Sequence, residues 1–292
     1  MTYQSRAQWQ LRLILLPSAA LLLALVIWPA LYAVWLSFTN AALVGPGAAN
    51  PRFVGLRNYA RLVGDGDFWN SLMVTGLFVL GSAIIGQFVL GLVSAVLLNR
   101  PLRFRAVFNA IILLPNAVPE VVAGFLWISM LAGGERGVLS RIVMGLGLQP
   151  QDWLNTFPLT MIIVVNTWRG IATAMILLTA GLSSVPKEVH EAAVMDGAKP
   201  GQIFRMITLP LILPTIFLYM LISTVSTISI FGFVYALTRG GPGGATEILG
   251  IYLYNQSFTA YQLGYGAAVA VVSLVFSLIV GVIYVRALKV EV

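Results

Sequence analysis

Six stretches of this chain are so long and so apolar that each must leave water as a unit. They lie at about 13–36, 71–98, 107–131, 158–182, 207–237 and 264–285. A helix needs about 20 apolar residues to cross the hydrocarbon of a bilayer. Inside that layer every backbone N–H and C=O must be bonded within the protein, which favours helices. The pattern predicts an all-α membrane protein of six transmembrane helices, with residues 1–292 as a single domain. Charged residues make up only 9% of the chain, against roughly a quarter in soluble domains. The first run is too long for the core of a signal peptide and lacks a small-residue cleavage site, so it reads as a retained helix.

The net charge of +7 does not indicate nucleic acid, because the basic residues occupy short gaps between apolar runs. They orient the chain instead. An even number of spans puts both termini on one side. If that side is the cytoplasm, Arg6, Arg12, Arg100, Arg103, Arg105, Lys187, Lys199, Arg205, Arg286 and Lys289 are inside. Arg52, Arg57, Arg61, Arg136, Arg141 and Arg239 are then outside, and ten against six favours cytoplasmic termini. The chain has no cysteine, which removes thiolate chemistry. Its one histidine, His190, lies in a polar loop. An intramembrane Ser–His nucleophile is therefore excluded, and no metal site is expected.

That loop, 183–210, contains "EAAVMDGAKPGQIFRMITLP" from position 191. Pro186 suits the first turn of a short helix, and Gly197 sits where a left-handed cap is needed. Lys199 is forced extended by Pro200, which can open a second helix. In the first helix Ala192 and Ala193 form a shallow surface beside Glu191 and Asp196. A loop that only oriented the chain would not need these acids. The pattern suits a docking element held in another protein's groove.

Two charges fall deep inside apolar runs, Glu120 and Arg169. Counted at 1.5 Å per residue, each lies about 20 Å from the inner end of its helix, so the two can meet near the midplane. Two readings remain open: an ion pair that locks helix packing, or groups that bond a polar cargo. Asn116, Asn166 and Thr173 lie one turn away. The run "STVSTIS", with Ser223 and Thr227, adds a dense hydroxyl strip that either bonds its own backbone or lines a path. Pro210 and Pro214 predict a bend near the start of the fifth helix. Gly76, Gly81, Gly86 and Gly91 recur every five residues, a spacing that lines no face of an α-helix.

The loop's spacing, "EAA", three residues, "G", nine residues, "I-x-L-P", resembles the EAA motif of membrane-spanning subunits of bacterial ABC-type importers. Glu191, Ala192, Ala193, Gly197, Ile207, Leu209 and Pro210 carry the match. "FVGLRNYARL", "LPNAVPEVVAGFLW" and "LTRGGPGGATEILGIYLYNQSF" resemble carbohydrate-uptake permeases of the maltose and glycerol-phosphate type, and the likeness spans nearly the whole chain. The resemblance implies a type I ABC-importer permease fold in which helix one wraps a partner permease. It makes 183–210 the cytoplasmic coupling loop, with Glu191, Ala192, Ala193, Asp196 and Gly197 seated in an ATP-binding subunit.

No "GxxxxGK[ST]" phosphate loop occurs. By the same resemblance, ATP and Mg are bound by a dimer of partner ATPase subunits, with no cofactor or catalytic residue in this chain. The implied partners are a distinct second permease, an extracytoplasmic sugar-binding protein and membrane lipids, at a bacterial inner membrane. A sugar is the expected cargo. Import of glycerol phosphate or another polar solute by the same machinery is the alternative, and a self-sufficient secondary transporter would not need the EAA loop.

Overall fold

The computed structural model describes residues 16–99 and 103–290. Arg6, Arg12, Arg100 and residues 13–15 of the first run lie outside the described residues, as does the side chain of Lys289. The principal helices are α1 (Leu16–Ser37), α2 (Gly66–Leu98), α3 (Arg105–Leu113), α4 (Glu120–Leu131), α5 (Pro158–Ser183), α6 (Lys187–Met195), α7 (Pro200–Leu211), α8 (Leu213–Ile228), α9 (Gly232–Thr238) and α10 (Leu263–Val290). No strand occurs among the described residues beyond one isolated bridge, Thr39 to Phe53.

The chain divides into two compact units. The larger comprises 66–252 and 275–292, and α5 is its axis. Half of the most apolar window of α5 is buried. Its N-terminal half packs Ile162 and Val165 against Val74 and Phe78 of α2 and Phe233, Val234 and Leu237 of α9. Its C-terminal half packs Ala174, Leu178 and Leu182 against Ala95 of α2 and against Ile212, Ile216 and Tyr219. The smaller unit comprises 1–65 and 253–274. There α1 leaves its whole apolar window uncovered. That surface suits lipid or another apolar chain.

Two of the six expected spans are broken. The run 107–131 is not one helix. It forms α3, a tight turn over Leu114–Ala117, and α4, with a 106° change of direction. Pro119 causes the break. It forces Val118 extended (ψ 123°) and starts the next helix from a non-helical ψ of 144°. The depth of Glu120 therefore does not follow from a uniform 1.5 Å rise. Glu120 is the first residue of a new helix, where the peptide dipoles favour a carboxylate.

The run 207–237 bends by 64° at Ile212, between Pro210 and Pro214, as the prolines predict. It also stops at Ile228 and restarts as α9.

Helix α2 departs from α-geometry over Val79–Gln87, where π-type bonds run from i to i+5. Residues five apart within that segment lie nearly above one another, so Gly81 and Gly86 share a face, and Gly91, in the α-helical part that follows, also meets α5. A Cβ on Gly81 would stand 2.8 Å from Ile163, on Gly86 2.3 Å from Thr167, and on Gly91 2.2 Å from Ala174. All three neighbours belong to α5, so the glycines let the α2 backbone pack directly on α5 side chains, and at Ala174 close to the α5 backbone. Gly76 has open space instead.

Candidate functional site

The break before α4 and the π segment of α2 together build a polar cavity in the larger unit. Its volume is about 270 Å³. Asn116, Glu120, Asn166, Arg169, Thr173, Ser223 and Thr227 all line it, together with Gln87, Gly170, Tyr219 and Ser226. The structure thus gathers the seven polar positions of helices three, four and five around one space.

Arg169 Nη1 stands 3.7 Å from Glu120 Oε1, an ion pair without a hydrogen bond. Glu120 Oε1 and Arg169 Nε are both buried with no hydrogen-bond partner among the described residues. Gly232 makes room for the carboxylate, since a Cβ there would lie 3.1 Å from Glu120 Oε2. The Arg169 guanidinium lies 5.5 Å over the Phe233 ring. The pair is therefore held by shape and charge with bonding capacity left over, as a polar ligand requires.

Gln87 is the residue that sequence reasoning missed. Its Nε2 donates to the Asn166 carbonyl at 3.0 Å, and its Oε1 accepts from Ser223 Oγ at 2.7 Å and Tyr219 OH at 3.4 Å. Asn166 Nδ2 in turn donates to Ser82 Oγ at 2.8 Å. One amide thereby clasps α2, α5 and α8 at the cavity wall. The available signal was an isolated amide inside an otherwise apolar run, which needs partners in a membrane.

Gly170 is what admits this amide, because a Cβ there would stand 2.1 Å from Gln87 Cδ. Gly170→Ala is expected to displace the clasp at about 1–3 kcal/mol, the usual cost of overpacking. Thermal unfolding of the purified protein should show a lowered Tm, and adding Gln87→Ala should recover part of it. A Gly170→Ala protein with unchanged Tm and transport would show that the clasp is dispensable.

The second candidate region is the hairpin of α6 and α7. Helix α6 ends on Asp196, and Gly197 adopts φ +78°. Gly197 N–H bonds the Val194 carbonyl at 3.0 Å and Ala198 N–H the Ala193 carbonyl at 3.0 Å, a complete left-handed helix stop. Pro186 caps α6 from outside, with ψ 137°, one position before the expected first turn. Gln202 Oε1 accepts from Lys199 N–H at 2.8 Å and opens α7. His190 Nε2 meets Thr208 Oγ1 at 3.3 Å, tying the two helices.

The alanines do not form one surface. Ala193 is buried within the chain, while Glu191, Ala192, Asp196 and Gly197 face outward. The outward face also carries Val194 and Met195, the latter 87% exposed. An apolar tip flanked by acids is a shape for another protein to grip.

The chain matches the family described as "Binding-protein-dependent transport system inner membrane component" over residues 87–288. It is 32% identical over 277 residues to the trehalose/maltose transport system permease protein MalF of Thermococcus litoralis, covering 94% of this chain and 92% of that protein. It is also 32% identical over 265 residues to the sn-glycerol-3-phosphate transport system permease protein UgpA of Agrobacterium fabrum, covering 90% and 89%. Among solved structures, a bacterial ABC transporter involved in the import of the acidic polysaccharide alginate shares the fold. That match has a TM-score of 0.82 at 21% identity and covers 97% of this chain and 96% of that one. With an EAA-spaced hairpin between apolar helices, and a match running across most of its length, this chain belongs to the family of binding-protein-dependent transport system inner membrane components, as a permease subunit of an ABC importer.

Proposed function

We propose that this permease carries a neutral sugar through the cavity bounded by Gln87, Glu120, Arg169 and Ser223. The observation that supports it best is the lining itself. Hydroxyls and amides dominate, and the one cation, Arg169, is offset by Glu120 at 3.7 Å. Sugar hydroxyls both donate and accept, so they can satisfy the Glu120 oxygen and the Arg169 N–H together. A phosphate would compete with Glu120 for Arg169 and add uncompensated negative charge. The trehalose/maltose relative supports the sugar reading, and the glycerol-phosphate relative supports the alternative cargo.

In this reading a distinct second permease supplies the other half of the path, and an extracytoplasmic binding protein delivers the cargo. Paired ATPase subunits hold ATP and Mg and grip α6 through Glu191, Ala192, Val194, Met195 and Asp196. Gly197 stops the helix, and Ala193 supports it from beneath. Both termini lie in the cytoplasm of a bacterial inner membrane. Closure of the ATPases pulls α6, and the His190–Thr208 contact passes the pull to α7 and the bent α8. The test is ATPase activity of the reconstituted transporter across a panel of sugars and glycerol phosphate. Stimulation by a neutral sugar is expected; stimulation by glycerol phosphate alone would overturn the cargo assignment.

A further inference from the structure

The smaller unit holds a second polar pocket, of about 260 Å³, that no part of the transport reading uses. Its position follows from backbone bonds. Helix α1 ends at Ser37 and α10 begins at Leu263. The segment after α1 is bonded to the start of α10 by Gly264 N–H to the Ala41 carbonyl at 2.8 Å. Leu43 N–H also bonds the Tyr261 carbonyl at 2.9 Å. Gly264 is required there, since a Cβ would stand 2.1 Å from the Thr39 carbonyl oxygen. The ends of two apolar helices therefore meet at one level.

A short helix, Arg57–Val63, is fastened at that level. Asn58 Nδ2 donates to the Ser37 and Thr39 carbonyls, each at 2.8 Å. Leu56, Ala60 and Val63 form an outward stripe, with Leu56 68% and Val63 65% exposed, and Phe53 nearby is 74% exposed. Arg57 and Arg61, one turn apart, flank the stripe and line the pocket. Arg61 Nη1 donates to Gln262 Oε1, and its guanidinium lies 4.2 Å over the Tyr265 ring. Tyr265 OH is committed to Asp65 Oδ2 at 2.8 Å. Arg57 makes no side-chain hydrogen bond or ion pair among the described residues.

An apolar stripe beside a cationic stripe at a span's end is the pattern of a helix lying in a membrane interface. We propose that Arg57 and Arg61 hold the phosphate of an anionic phospholipid in this pocket, with Leu56, Val63 and Phe53 in its acyl region. The charge complementarity is direct. Two guanidiniums line the pocket with a neutral amide, Gln262, and no carboxylate among the described residues; Asp65 accepts from Tyr265 OH beside them. Guanidinium forks match phosphate oxygens. The assignment does not depend on the cargo.

Native mass spectrometry of the assembled transporter tests it, with phosphatidylglycerol and phosphatidylcholine supplied equally. Retention should favour phosphatidylglycerol, by roughly fivefold for each arginine, from the ~1 kcal/mol that a basic residue contributes at an anionic surface. Arg57→Gln breaks no bond among the described residues and should remove roughly a fivefold preference on its own. Arg57→Lys should keep most of it, and Arg136→Gln should change nothing. An unchanged lipid preference in Arg57→Gln would overturn the proposal. So would an Arg57→Gln protein that keeps its lipid but loses affinity for the binding protein, which would make the patch a protein contact.

Discussion

Glu191→Lys is expected to abolish transport while the chain inserts and folds normally. Glu191 is exposed and makes no side-chain hydrogen bond or ion pair among the described residues, so nothing in this chain's own stability depends on it. Its effect must come from a partner. Removing one member of a buried interfacial charge pair costs roughly 2–5 kcal/mol, and reversal adds repulsion. That is at least a roughly thirtyfold loss of affinity. Co-purification of the ATPase subunit should fall with transport.

Gly197→Val should give the same loss for a different reason. A Cβ at Gly197 meets nothing within 4 Å, so no clash is involved. The φ of +78° is nearly closed to a β-branched residue, and the helix stop would shift. Gly197→Asn, which tolerates the left-handed region, should retain much of the activity. If Glu191→Lys and Gly197→Val both transported normally with the ATPase bound, α6 would not be the coupling element.

Glu120→Gln and Arg169→Gln should each destabilise the protein, and the double variant should be more stable than their sum implies. Breaking a buried ion pair from one side costs about 3–5 kcal/mol in the fully buried case. Here Arg169 is 22% and Glu120 37% exposed to the cavity, so the lower end or less is expected. Coupling between the two changes should be about 0.5–3 kcal/mol by Tm-based or denaturant stability. Transport separates the two readings of the pair. If the pair bonds cargo, the double variant recovers stability and stays inactive. If it only locks packing, transport returns with stability.

The spans themselves were legible in hydropathy, because burial in hydrocarbon leaves no other use for runs of that length. The path of the third run was not. Residues on both sides of Pro119 are equally apolar, and a membrane tolerates proline within a helix. Pro119 permits the turn, and packing against α9 fixes it, where Gly124 leaves room that a side chain would fill, since a Cβ there would stand 2.7 Å from Ala236. The five-residue glycine spacing is visible in the sequence, but a 3.6-residue period is the wrong ruler for it across the π segment of α2.

The polar positions around the cavity were legible as charges, amides and hydroxyls out of place in lipid. The meeting of Glu120 and Arg169 was legible too, but the Gln87 clasp was not, since it depends on Gly170 admitting that amide. In the hairpin, spacing located Gly197 and the acids. It did not show that Ala193 turns inward while Met195 turns out, because both suit a short helix equally well.

The absence of native cysteine makes the decisive measurement clean, since Ala192→Cys would be the one thiol in this chain. Membrane-impermeant maleimide should label it only in inverted membrane vesicles. Oxidation should cross-link it to a cysteine placed in the cleft of the partner ATPase, with a yield that changes with nucleotide. Labelling of Ala192→Cys from outside intact cells, or no ATPase adduct under any nucleotide condition, would contradict the account.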